Sequence, residues 1–127
     1  RSPESKHSLL FKPAAQEAFV KGILAACQPQ SEDEEPELTV QDAFAKSNKI
    51  KWSMSDDIWQ NVIIKQSGAI DGGAEGKNRM ALLVSWMLLG KKMSDEKKFK
   101  VRKAFNEAHG IDIESNPDKE ISLPAAV

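Results

Sequence analysis

The sequence predicts an all-α fold, a single compact bundle of about five helices around a central apolar helix. Residues 79–89 are apolar on nearly every side of a helix, so this segment needs cover from several neighbours. Elsewhere, apolar residues recur at intervals of three and four, which is typical of helices packed on one face. No segment alternates apolar and polar residues as a half-buried strand does. We therefore expect helices joined by short connections.

Composition narrows the class of protein. The chain has 127 residues, 40% of them hydrophobic and 29% charged, which suits one globular domain with its own core. Its net charge of -1 argues against indiscriminate binding to nucleic acid or membrane. The single cysteine, Cys27, permits no intrachain disulfide and favours a reducing, cytoplasmic location. Residues 1–6 lack the apolar segment of a signal peptide, and the longest apolar run is too short for a membrane span.

The first part of the chain predicts two helices and an acidic linker. Residues 1–12 form a flexible N-terminal arm ahead of a helical domain at 13–111. The first helix begins at Pro13 and ends before Pro29, and its small residues predict close packing against another helix. An acidic linker at 28–38 follows. Thr39 and Asp42 then fit a capping box, which predicts a second helix over 40–47.

A third helix is predicted from Ser53 or Ser55 to Gly68, with its apolar face built on Ile58, Trp59, Val62 and Ile63. The β-branched run at 62–64 also suits a strand, but no second strand is available to pair with it.

The second half predicts the central helix, a fifth helix and a tail. A glycine-rich loop at 70–76 opens into the central helix at about 77–89, which Gly90 ends. Ser94 begins the fifth helix, Gly110 ends it, and Phe99, Val101 and Phe105 are expected to face inward. Residues 112–127 contain two prolines and few apolar anchors, so they predict an extended C-terminal tail.

The glycine loop invites comparison with a phosphate-binding loop, and the comparison fails. Asp71 stands where the leading glycine is required, Asn78 follows Lys77 where Ser or Thr is required, and no strand precedes the loop. A weaker anion site remains, formed by free amides at a helix N-terminus beside Lys77 and Arg79. We favour the simpler interpretation, a flexible connection between two helices.

A basic segment is the best indication of a partner. It contains half of all lysines and arginines, against only Asp95 and Glu96 between residues 77 and 103. Such a surface predicts contact with the phosphate backbone of nucleic acid, DNA or RNA, without strong sequence specificity. The alternatives are ordinary solvation of a helix, or an acidic protein surface such as residues 32–37 of a second copy. The candidate phosphate-binding residues are Lys77, Arg79, Lys91, Lys92, Lys97, Lys98, Lys100, Arg102 and Lys103.

The alternative function is that of a protein–protein adaptor or a self-assembling structural subunit, similar to a coat or nucleocapsid protein, that uses its terminal arms. Candidate interface residues are Trp52, Trp59, Ile121 and Leu123, although core packing explains each tryptophan as well. The tail has enough apolar character to enter a groove on a neighbour.

Catalysis has little support in the sequence. His7 and His109 lie far apart in the chain, and Cys27 lies on an apolar stripe. This set makes a poor metal site and offers no activated nucleophile. We therefore expect no enzymatic activity, no metal and no cofactor.

Overall fold

The computed structural model describes residues 8–29 and 35–127. Over these residues the chain forms four α-helices and no strand, which confirms the all-α class but not the fifth helix. The helices are α1 (Pro13–Ala26), α2 (Val40–Ser47), α3 (Ala74–Leu89) and α4 (Asp95–Ala108). Residues 1–7 of the predicted N-terminal arm, which include His7, and residues 30–34 of the acidic linker lie outside the described part.

Helix α3 is the centre of the molecule, with nine of its 16 residues buried. Helix α1 packs against it at very short range because Gly22 has no side chain. A Cβ atom at position 22 would lie 2.6 Å from the Cβ of Val84 and 3.0 Å from the carbonyl oxygen of Ala81. Ala18 and Ala26, on the same face, are fully buried. The prediction that small residues bring α1 close to a neighbouring helix is confirmed.

Local signals place most helix ends. The Thr39 hydroxyl accepts a hydrogen bond from the Asp42 amide at 3.1 Å, so α2 spans the predicted residues. Helix α3 begins three residues earlier than predicted and ends before Gly90, whose φ of 54° favours glycine. At the end of α4, Gly110 has a φ of 78°, and the Ile111 amide donates to the Asn106 carbonyl.

The predicted third helix is wrong. Only Asp57–Trp59 form a short 3₁₀ turn, after which Gln60 is extended and Asn61 has a φ of 66°. Residues 62–64 are then all buried, at 1%, 0% and 3% exposure. Three consecutive side chains on a helix spread over about 200°, so a helix at the surface of α3 would turn one of them outward. An irregular loop buries all three.

The inward placement of Phe99 is also wrong. Its side chain is 39% exposed, whereas Val101 and Phe105 are 1% and 8% exposed. Helix residues two positions apart in sequence are separated by about 200° around the helix axis, so Phe99 and Val101 lie on nearly opposite sides of α4. Phe99 instead lies near the guanidinium of Arg102, 5.9 Å from the ring centroid.

Residues 112–127 lie along α3 and α4 of their own chain. Asn106 of α4 is fully buried, and its side chain accepts from the Ile121 amide at 2.6 Å and donates to the Ile121 carbonyl at 3.2 Å. Further on, the Trp86 indole donates to the Pro124 carbonyl at 2.8 Å. The Val127 amide donates to the Met87 carbonyl at 2.9 Å. The tail therefore has no α-helix, contains a 3₁₀ turn at Pro117–Lys119, and covers the bundle of its own chain.

The close approach at Gly22 gives a test of the fold. Gly22→Ala gains about 1 kcal/mol of helix propensity, but the added methyl group must push α1 away from α3. We expect the free energy of unfolding to fall by about 1–2 kcal/mol, measured by urea denaturation followed by circular dichroism.

Gly72→Ala is the matched control. A Cβ there would meet only the Cβ of Ala14, at 3.9 Å. We expect its free energy of unfolding to stay within about 0.5 kcal/mol of the parent value. Equal stability of Gly22→Ala and the parent chain would contradict the close helix contact.

Candidate nucleic-acid interface

Two of the nine candidate phosphate-binding residues, both at the start of α3, are held by carboxylates. The amino group of Lys77 lies 3.0 Å from the Glu17 carboxylate of α1. Arg79 donates to the Asp71 carboxylate at 3.0 Å and to the Val62 carbonyl at 3.0 Å. Both side chains are only about one-fifth exposed, at 21% and 22%. Arg79 therefore fastens the loop at 62–71 to α3.

The protein's own acid occupies the place where the sequence predicted an anion site. The Asp71 carboxylate accepts from the Gly73 amide at 3.0 Å, just before α3 begins. This backbone hydrogen bond, followed by the guanidinium of Arg79, lowers the pKa of Asp71. Likewise, the hydrogen bond and the charge of Lys77 lower the pKa of Glu17. The two cations beside the helix start are thus already paired with carboxylates of the chain.

The second half of α4 is held by the tail. Arg102 makes two hydrogen bonds with the Glu120 carboxylate, at 2.6 and 2.7 Å. Lys103 pairs with Glu114 at 2.6 Å. The hydrogen bond that Arg102 donates lowers the pKa of Glu120, and the hydrogen bond that Lys103 donates to Glu114 raises the pKa of the lysine. These two basic residues of α4 therefore serve the attachment of the tail.

The remaining five lysines form what we call the lysine cluster: Lys91, Lys92, Lys97, Lys98 and Lys100. Lys91 and Lys92 are exposed in the 3₁₀ turn Gly90–Lys92 between α3 and α4, and the other three lie in the first half of α4. Within residues 8–29 and 35–127, no ion pair holds Lys91, Lys97, Lys98 or Lys100.

The cluster does not occupy a single face of α4. Lys98 lies on the flank of Arg102, four residues on, whereas Lys97 and Lys100 lie on the opposite flank. Asp95 and Glu96 share the first turn with the cluster, where the helix dipole favours acidic residues. The surface is therefore a ridge of point charges around the start of α4, with two acids among them.

The candidate protein-interface residues are scattered. Trp59 is fully buried, stacks on Trp52 with ring centroids 5.3 Å apart, and donates to the Lys51 carbonyl at 2.7 Å. Trp52 is half-buried and donates to the Ser47 carbonyl at 3.0 Å. Ile121 is 38% exposed. Leu123 is half-buried and packs against the core. Trp59 thus has no surface to offer a partner.

No metal-binding cluster of three or more His, Cys, Asp or Glu side chains occurs in the described part of the chain. Burial, then the charge of Asp42, raises the pKa of the Cys27 thiol, which disfavours the reactive thiolate. The Nδ1 atom of His109 lies 2.9 Å from the Phe105 carbonyl at the end of α4. The absence of enzymatic activity stays a prediction. Among the described helices, none has both the length and the apolar character needed to cross a bilayer.

Comparison with known proteins gives no relative: no family model matches the chain, and no curated protein or solved structure matches it either.

Sequence reasoning missed the acidic partners of the basic residues. Glu17 lies 60 residues from Lys77, and Glu120 lies 18 residues from Arg102. Neither separation has the three- or four-residue spacing that marks an ion pair within one helix. Only the fold brings them together.

The contribution of the Arg102–Glu120 ion pair to the attachment of the tail can be measured independently of nucleic-acid binding. Arg102→Gln removes both charge-assisted hydrogen bonds to the tail, whereas Lys98→Gln on the same flank removes none. We expect the Ile121 and Val127 amides of Arg102→Gln to exchange hydrogen roughly fivefold faster at neutral pH, and those of Lys98→Gln to be unchanged. Amide exchange followed by NMR measures both.

The same contact should depend on pH. Because the pKa of Glu120 is lowered in the folded protein, the contact is complete above the ordinary carboxyl pKa of about 4.3. It weakens as the pH falls through the lowered value. Glu120→Gln should remove this part of the acid dependence. Unchanged exchange in both Arg102→Gln and Glu120→Gln would show that the ion pair does not hold the tail.

Proposed function

We propose that the protein is a nucleic-acid-associated module that contacts phosphate through the lysine cluster, without strong sequence specificity. The observation that carries the proposal is a division among the basic residues. Four of the nine candidates are paired with carboxylates of the chain: Lys77, Arg79, Arg102 and Lys103. The cluster lies at one end of the bundle, where the tail brings no acid to Lys91, Lys97, Lys98 or Lys100 among the described residues.

Lysine chemistry supports phosphate rather than base recognition. A lysine amino group acts as a point charge, whereas bidentate reading of guanine is the usual task of arginine. The arginines at 79 and 102 are both occupied by carboxylates. Each phosphate neutralised on double-stranded DNA contributes about -0.9 to the slope of log affinity against log salt concentration. If Lys91, Lys97, Lys98 and Lys100 each contact one phosphate, the slope is about -3.6.

The test is binding of labelled single- and double-stranded oligonucleotides across a salt series. We expect a triple variant, Lys91→Glu with Lys98→Glu and Lys100→Glu, to bind roughly 100-fold more weakly than the parent at low salt. It leaves both residues of the ion pair that attaches the tail, Arg102 and Glu120, unchanged.

The control variant, Lys49→Glu with Lys51→Glu and Lys65→Glu, makes the same change in net charge at three exposed lysines outside the cluster. It should weaken binding by less than about threefold through the general field. An equal loss of oligonucleotide affinity in both variants would show that binding depends on net charge and not on the lysine cluster. Absence of binding by the parent chain at low salt would overturn the proposal.

The second candidate function is that of a protein adaptor or self-assembling subunit. Four large apolar side chains on α1 and α2 favour it: Val20 and Leu24 are 48% and 52% exposed, and Val40 and Phe44 are 45% and 44% exposed. Each pair is four residues apart and therefore shares a helix face. The Phe44 ring lies 5.7 Å from that of Phe19, so α1 and α2 are in contact beside these residues. Such exposed apolar surface is typical of protein interfaces.

Self-association is the direct test of this candidate. We expect light scattering at high concentration and low salt to show a mass above that of the single chain. Val20→Ser with Leu24→Ser should return the chain to a monomer while leaving oligonucleotide binding unchanged. A monomer under all conditions would remove self-assembly.

A further inference from the structure

A groove runs over α3 between α1 and α4, with a volume of about 210 Å³. Leu82 and Leu89 of α3 line it, together with Met93 and Val101 on the side of α4 and Ala25 on the side of α1. Ser85 also lies in the groove, but its hydroxyl donates to the Leu82 carbonyl at 2.8 Å. The interior of the groove is therefore mostly apolar.

The charged side chains that the described residues bring to the groove are all positive. Lys97 and Lys100 line it, with Gln28 as the other long polar side chain, and no carboxylate of the described residues lines it. Glu96 precedes Lys100 by one helical turn, yet no ion pair joins them. An apolar groove with two lysines that no acid of the described chain neutralises is complementary to a ligand with one apolar end and one anionic end.

We infer that this groove binds a short linear amphiphile with a carboxylate head, of the class of medium-chain fatty acids. The hydrocarbon chain lies over Leu82 and beside Ala25, above the buried Leu89 and Val101, and the carboxylate lies between the amino groups of Lys97 and Lys100. The volume is below the roughly 300–1,000 Å³ typical of sites for drug-sized ligands, which favours a single narrow chain over a ring system. Charge complementarity selects the anionic head over a neutral or cationic one.

This inference does not rest on the proposed function, because the groove and its ligand are measured without nucleic acid. The first experiment titrates the full chain with hexanoate, octanoate and decanoate, each below its micelle concentration. Binding is followed by isothermal titration calorimetry and by the NMR signals of the leucine methyl groups. We expect affinity to rise by up to about fourfold for each added methylene group while the chain still finds apolar surface, and the shifts to centre on Leu82 and Leu89.

The head group is tested with ligands of equal chain length. Octan-1-ol and octyltrimethylammonium should bind at least about tenfold more weakly than octanoate. Lys97→Gln with Lys100→Gln should weaken octanoate binding by a similar factor and leave octan-1-ol unaffected. The control, Lys91→Gln with Lys98→Gln, removes the same charge outside the groove and should change neither.

The apolar part is tested by filling the groove. Ala25 is exposed at the edge of α1, so Ala25→Phe adds a ring to the groove without entering the core. We expect this variant to lose octanoate binding with an unchanged circular dichroism spectrum and unfolding midpoint. Equal binding of the anionic and cationic amphiphiles, binding that survives Ala25→Phe, or no shift of the groove methyl groups with decanoate would each overturn the inference.

Discussion

The burial of residues 80–89 of α3 on nearly every side is the constraint on which the rest of the structure depends. A helix with so little polar surface cannot lie at the edge of a fold, because exposed apolar area is unfavourable in water. Its neighbours cover it by different means: α1 through the missing side chain of Gly22, and the tail through Trp86 and Pro124. Even a lysine contributes, since Lys46 of α2 donates to the Leu88 carbonyl at 2.9 Å, near the C-terminus of α3.

Sequence reasoning succeeded where the determining signal was local. Thr39, Ser94 and Gly110 act on their own helix ends, through hydrogen bonds within a few residues or through backbone conformation. It failed at 57–64, where the apolar spacing resembles that of a helix but contacts with α3 determine the backbone conformation. There Arg79 reaches back to donate to the Val62 carbonyl, 17 residues away, which satisfies a buried backbone group that a helix would have paired internally. That interaction has no local pattern.

The sequence predicts which lysines belong to the candidate site, but it does not predict which of them remain available at the surface. Residue types give the positive charge of the segment, but its availability depends on where acidic residues arrive in three dimensions. Glu17 comes from α1, and Glu114 and Glu120 come from the tail. The groove beside Lys97 could not be predicted either, because it exists only where α1 and α4 leave part of α3 open between them.

The path of the tail connects the core to the surface charge. The side chain of Asn106 is hydrogen-bonded to Ile121, and Trp86 and Met87 are hydrogen-bonded to the last residues of the tail. The tail must therefore pass the second half of α4. That route places Glu120 on Arg102 and leaves the first half of α4 without acidic cover from the tail. The path by which the tail covers α3 thus determines which basic residues of α4 are paired with its carboxylates. A chain whose net charge is -1 can therefore carry a local positive surface: the sequence concentrates basic residues in 77–103, and the fold of the described residues pairs some of them with acids and leaves others without one.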